Sequence, residues 1–190
     1  MKKLLVFMCG LAIFSAACKH KTTVEEQEKD NWNKRVDSIV TYWQGRKLLL
    51  PDGMPVMTVD SSNFVNGKST THQKLITYVD GTCGVCVTNL NHWREFIRDI
   101  RSNHGKCDFV FYIQAENKDD FKREIMDTLN IGVTWMHDSK EKFIHVNNLS
   151  DPRFQTALVD DSDNVVLIGT MEDRPELKEL YKKTILERSK

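Results

Sequence analysis

The chain has 190 residues, with 27 lysines and arginines against 27 aspartates and glutamates, 40% hydrophobic residues and 5 cysteines. A formal net charge of zero leaves no basic patch of the kind phosphate backbones require, so nucleic acid is not an expected partner. The cysteines are too few for a disulfide-stapled scaffold and point to a redox or metal motif instead.

The chain opens on Met1-Lys2-Lys3, continues with an apolar run over 4–14 and ends that run in Ser15-Ala16-Ala17-Cys18. A basic start, a short apolar stretch and a small-residue cleavage site predict a signal peptide over 1–17. The run is shorter than the about 20 apolar residues that span a bilayer, so it is expected to be removed. Cys18 after two alanines resembles the lipobox of bacterial lipoproteins. That resemblance implies acylation of Cys18, a membrane partner reached through the lipid, and a periplasm-facing place in the cell envelope, inner or outer membrane undecided. An ordinary secretory signal with an incidental Cys18 would give the same extracytoplasmic compartment. Removing Lys2 and Lys3 from the 27 basic residues, with all 27 acidic ones kept, leaves a mature net charge of −2.

Residues 18–45 read as a lipid-anchored tether running into an amphipathic helix, and 46–190 as a single domain. Thr23 and Glu26 form a capping box, and Trp32, Val36, Ile39 and Trp43 recur at helical spacing until Gly45. Short apolar pieces at 48–50 and 56–59, broken by turn residues, predict short strands or a hairpin at a sheet edge. The run 74–80 has high strand propensity and ends at Gly81. After Cys83-Gly84-Val85-Cys86 comes a helix to Arg101, whose Leu90, Trp93, Ile97 and Ile100 continue one apolar face from Cys86. A strand at 108–113, a helix carrying Phe121, Ile125 and Leu129, and a strand at 131–136 follow. Next come an irregular stretch with Phe143, Ile144 and Pro152, and a hairpin of 156–159 with 165–168. A final helix is capped by Asp173, has Pro175 in its first turn, and is lined by Leu177, Leu180, Tyr181 and Ile185. This order predicts an α/β fold with a mixed central sheet flanked by helices and an N-terminal helical extension.

The chemistry is carried by the CxxC pair. A cysteine at a helix start meets unpaired backbone N–H groups and the positive end of the helix dipole, which favour its thiolate. A second cysteine one turn inside lies within bonding reach. Cys83 is therefore the expected nucleophile toward a disulfide and Cys86 the resolving thiol, with no cofactor required. Cys107, at the head of a strand, reads as a small core residue.

From Lys74 onward the chain resembles the thioredoxin superfamily, and more closely TlpA-type or redoxin-like envelope lipoproteins. The resemblance is carried by Val79-Asp80-Gly81-Thr82-Cys83-Gly84-Val85-Cys86, and by 153–160 followed by 165–169. It implies a thioredoxin-like fold and dithiol exchange on envelope protein disulfides or a redox partner, usually in the reducing direction. It also implies substrate docking around Gly84, Val85, Phe154 and Gln155. Phe154 stands where the family's cis-proline precedes the hairpin, and Thr77 where thioredoxin has a buried acid. A neighbouring Asp80 carboxylate would oppose ionisation of Cys83. The rival readings are a thioredoxin-fold binding module without turnover and a zinc site of Cys83, Cys86, His104 and Cys107. A peroxidase is disfavoured because Ile76 and Asp80 replace its expected proline and threonine.

Overall fold

A computed structural model describes residues 24–58, 64–65, 68–69 and 72–190. The expected signal peptide (1–17), Cys18 and Thr23 lie outside the described residues. The described residues divide into two units between Asp37 and Ser38. The expected N-terminal helix is present as α1 (Val24–Trp43). In its first unit Lys34 Nζ meets Asp30 across one turn at 2.7 Å. The helix stops before Gly45, whose positive φ of 73° suits a residue without Cβ.

From Ser38 onward the chain builds a mixed sheet in the order β1 (Val56–Thr58), β6 (Thr134–His137), β5 (Asp108–Gln114), β4 (Gln73–Asp80), β7 (Thr156–Asp160) and β8 (Val165–Ile168). Strands β4, β5 and β6 are parallel neighbours, while β1 pairs antiparallel with β6 and the β7–β8 hairpin pairs antiparallel with β4. A separate two-stranded ribbon joins β2 (Phe64–Val65) to β3 (Lys68–Ser69). The apolar runs at 75–79 and 109–113 become these central strands because both faces of a covered parallel sheet exclude water.

Alternation along β4 sorts the two faces. Leu75 and Val79 face α2 (Gly84–Ser102), whose Leu90, Trp93, Phe96, Ile97 and Ile100 form the larger core with Tyr181 and Ile185 of α6 (Pro175–Glu187). The crossover α3 (Lys118–Phe121), a π-helical turn (Lys122–Met126) and α4 (Asp127–Leu129) adds Phe121 and Met126 to that core. On the opposite face Tyr112 stacks on Phe143 of α5 (Lys142–Asn147) at 4.4 Å between ring centroids. This is the α/β class that the sequence predicts, a mixed central sheet flanked by helices with an N-terminal helix.

Four details differ from the reading of the sequence. The stretch expected to be irregular holds α5, because buried Asp138 accepts from the backbone N–H groups of Lys142 (2.8 Å) and Phe143 (2.9 Å). Asp173 does not cap α6: it takes a positive φ of 58°, and Arg174 occupies the cap position without a side-chain bond. Leu180 is exposed, since the buried stripe of α6 runs through Tyr181 and Ile185 one helical step aside. Residues 48–50 form no strand; the chain just before them is tied to the β7–β8 hairpin by an isolated bridge between Lys47 and Asn164 and by the Gly45 N–H donating to the Val165 carbonyl at 2.8 Å.

Candidate active site

Strand β4 delivers the dithiol through a tightly fixed turn. The Gly81 N–H donates to the Gln114 carbonyl at 2.7 Å, carrying the β4–β5 ladder one residue past the strand. A Cβ on Gly81 would stand 2.6 Å from that carbonyl oxygen and 2.8 Å from Phe121 Cε2, so only glycine fits here. The Cys83 N–H then donates to the Asp80 carbonyl at 3.2 Å. Asp80 Oδ1 accepts from the Thr82 N–H at 2.9 Å and from the Thr82 hydroxyl at 2.7 Å, an Asx-type turn that fixes the approach to the helix.

Cys83 itself is the N-cap of α2, with extended φ and ψ of −91° and 111°. Its sulfur accepts from the Cys86 N–H at 3.4 Å and lies 2.6 Å from the Cys86 sulfur. Cys86 is half-buried and packs against the larger core, while Gly84 and Val85 between the two are exposed, Val85 to 71%. Both thiols are free. The hydrogen bond from the Cys86 side chain, followed by that from its backbone N–H, holds the Cys83 thiol below its ordinary value, against some desolvation and the Asp80 charge. Burial pushes the Cys86 thiol up to about 12, helped by the Cys83 sulfur and by Asp80. The pair is therefore unequal: the Cys83 thiol gives up its proton more readily than the Cys86 thiol.

The Tyr78 N–H donates to the Gln155 carbonyl at 3.0 Å, and Thr77 is registered opposite Thr156. The turn Pro152–Phe154 ahead of β7 therefore lies at the same end of the sheet as the dithiol. Within it Phe154 is 2% exposed and turned inward, whereas Gln155 is half-buried with its amide donating to the Leu149 carbonyl. Of the residues expected to dock substrate, Gly84 and Val85 carry the accessible surface. Thr77 and Thr156, both buried, share a hydroxyl hydrogen bond of 2.8 Å on the face covered by α2. The zinc arrangement does not assemble. Helix α2 (Gly84–Ser102) separates Cys86 from its own far end, which leads to His104 and Cys107, by about 24 Å at roughly 1.5 Å per residue, and Cys83 by about 28 Å. Cys107 is buried in the core, and desolvation pushes its ionisation up.

The sequence did not disclose two features of this neighbourhood. Thr156 is the partner of Thr77 only through the β4–β7 register, and the Trp93 indole N–H donates to Glu172 at 2.7 Å across 79 residues. The one local signal was Gly81, a glycine between a buried strand and the CxxC.

No protein-family model matches the chain, and no curated protein matches it. Among solved structures, it is similar to a Chlorobium tepidum protein proposed to be the thiol:disulfide interchange protein DsbE, at 15% identity and a TM-score of 0.49, covering 76% of this chain and 100% of that one. The thioredoxin domain of a thiol-disulfide oxidoreductase from Bacteroides vulgatus is 11% identical with a TM-score of 0.49, over 72% of this chain and 99% of that one. StoA from Bacillus subtilis is 11% identical with a TM-score of 0.45, over 69% and 99%.

Proposed function

We propose that this chain is a thiol–disulfide oxidoreductase of the bacterial cell envelope, anchored by a lipid on Cys18 and acting as a reductant. The observation that carries the reading is the 2.6 Å separation of two free sulfurs at the first turn of α2, with Cys83 outermost. The Cys83 thiolate attacks a substrate disulfide, one new S–S bond forms, and the first substrate sulfur leaves as a thiolate that takes a proton. Cys86 then gives up its proton and attacks Cys83, releasing the second substrate sulfur. Two electrons pass from the dithiol to the substrate, leaving a Cys83–Cys86 disulfide. Gly84 and Val85 present the surface on which the substrate docks, with Gln155 at the same end of the sheet.

Insulin-disulfide reduction by the wild type and by Cys83→Ser tests the reaction: loss of activity in the variant is expected, and equal activity would remove the proposal. Trapping with Cys86→Ser should hold substrate proteins as mixed disulfides on Cys83. The reducing direction is tested by the reduction potential of the pair. The anchor is tested by mass analysis and membrane fractionation of the wild type beside Cys18→Ala. No helix among the described residues is long and apolar enough to cross a membrane. Loss of the lipid mass in Cys18→Ala is the expected outcome, and an unchanged mass shift would remove the anchor. A second reading, a binding module without turnover, is favoured by Phe154 at the place of the family's proline. It predicts intact partner binding in Cys83→Ser.

A further inference from the structure

Three of the eight large apolar residues that stand exposed among the described residues meet at one place: Tyr42 at 55%, Leu49 at 53% and Val146 at 47%. With Trp43 they line an open depression of about 360 Å³ between the end of α1, the segment after it and α5, and Arg46 and Lys47 stand among them. Every residue of this face belongs to the unit that begins at Ser38. We propose that it is a docking face that seats the domain on a bilayer surface carrying anionic phospholipid. This rests on the lipid anchor of the proposed function and goes beyond it, since an anchor alone leaves the domain free to turn.

The face is fixed before it meets anything. The Val165 N–H of β8 donates to the Arg46 carbonyl at 2.8 Å. On the other side, Asn147 of α5 accepts the Leu49 N–H and donates to the Leu49 carbonyl, each at 2.8 Å. The segment from Arg46 to Leu49 is thus tied to the sheet and to a helix at once, so contact with a bilayer requires no ordering of the chain.

Its charge is one-sided. Among the described residues no acid lines the depression, and the exposed Arg46 and Lys47 make no ion pair. Asp163, whose carbonyl holds the Leu48 N–H at 2.8 Å, gives its carboxylate to Lys74. Glu141, ahead of α5, accepts the Tyr78 hydroxyl at 2.9 Å, and Lys142, one turn before Val146, adds a third exposed cation. The Arg46 guanidinium carbon lies 4.2 Å from the Tyr42 ring centroid. Stacking engages the flat face of a guanidinium and leaves its in-plane N–H donors for phosphate oxygens. Aromatic rings beside aliphatic and basic side chains settle at the level of lipid headgroups. The chain also delivers the face there. Helix α1 starts six residues after Cys18, so at most about 20 Å of extended chain and about 27 Å of helix separate that residue from Tyr42. A lipid on Cys18 keeps the face within roughly 50 Å of the bilayer, where weak contacts act at high local concentration, a gain that a soluble partner lacks.

The test footprints the full chain with hydroxyl radicals, mapped by mass, on vesicles of phosphatidylcholine alone and on vesicles that also contain phosphatidylglycerol. The anchor holds the chain to both, so headgroup charge is the variable. Labelling of Tyr42, Leu49 and Val146 should fall on the anionic vesicles, while Leu180 of α6, exposed on the other side of the sheet, keeps its labelling. The protection should vanish at about 1 M salt, where the screening length shrinks to roughly 3 Å. R46Q/K47Q should shift the balance toward undocked chain about thirtyfold, two basic residues at roughly fivefold each, with an unchanged melting curve to show that the variant is folded. Equal labelling on the two vesicles, or protection that survives in the variant, would overturn the proposal. Protection by soluble polyglutamate but not by anionic vesicles would overturn it in favour of an acidic protein partner. Chain left in solution beside the neutral vesicles would instead remove the anchor, with Tyr42 labelling on the anionic ones still deciding the docking face.

Discussion

Alkylation of the reduced chain by iodoacetamide, followed residue by residue, measures the inequality of the two sulfurs. Only thiolates react, so the rate at each cysteine tracks its ionised fraction. Burial pushes Cys86 from 9.0 to about 12, which lowers its thiolate fraction about a thousandfold at neutral pH. Cys83 moves the other way, under the hydrogen bonds from Cys86. Peptide mass mapping across a pH series should find Cys83 modified first, with a midpoint below that of an ordinary thiol, and Cys86 slower by about three orders of magnitude. Because desolvation is the largest cause at Cys86, that cysteine should stay slow in Cys83→Ser. Modification of Cys86 within about tenfold of Cys83, or a Cys83 midpoint at or above about 8.5, would refute the asymmetry.

Other substitutions probe the frame around the pair. Gly81→Ala drives a methyl into the Gln114 carbonyl and the Phe121 ring and should cost about 1–3 kcal/mol as overpacking, a fall in melting temperature of several degrees by calorimetry; an unchanged melting point would contradict the close approach. Asp80→Asn removes a negative charge that raises both thiols, so the Cys83 alkylation midpoint should move to lower pH, and a rise would contradict the sign. Thr77→Val leaves the buried Thr156 hydroxyl without its partner, at about 1–3 kcal/mol in urea unfolding, and adding Thr156→Val should recover part of it.

The parts of this fold legible in sequence are those with a long, local period. The stripe from Cys86 through Leu90, Trp93, Ile97 and Ile100 fixed both α2 and the inward position of its second cysteine. The runs at 75–79 and 109–113 announced covered strands. Helix α5 escaped notice because its 6 residues make fewer than two turns. Its cap, Asp138, is separated from it by Glu141 in a left-handed conformation. The inward turn of Phe154 was equally hidden, since a single 3₁₀ turn has no period to read. The hydrogen bond from Trp93 to Glu172 joins residues 79 apart, a contact that arises only once the chain after β8 has been brought against α2.

The hydroxyl pair of Thr77 and Thr156 also has a bearing on how this molecule handles protons. Two neutral side chains that satisfy each other neither store nor release charge, so the sheet under α2 holds no internal proton reservoir at this position. In the proposed dithiol exchange this hydroxyl pair supplies no charge of its own to the protons of Cys83 and Cys86, and rates compared in water and deuterium oxide for the wild type and Thr77→Val should show the same solvent isotope effect.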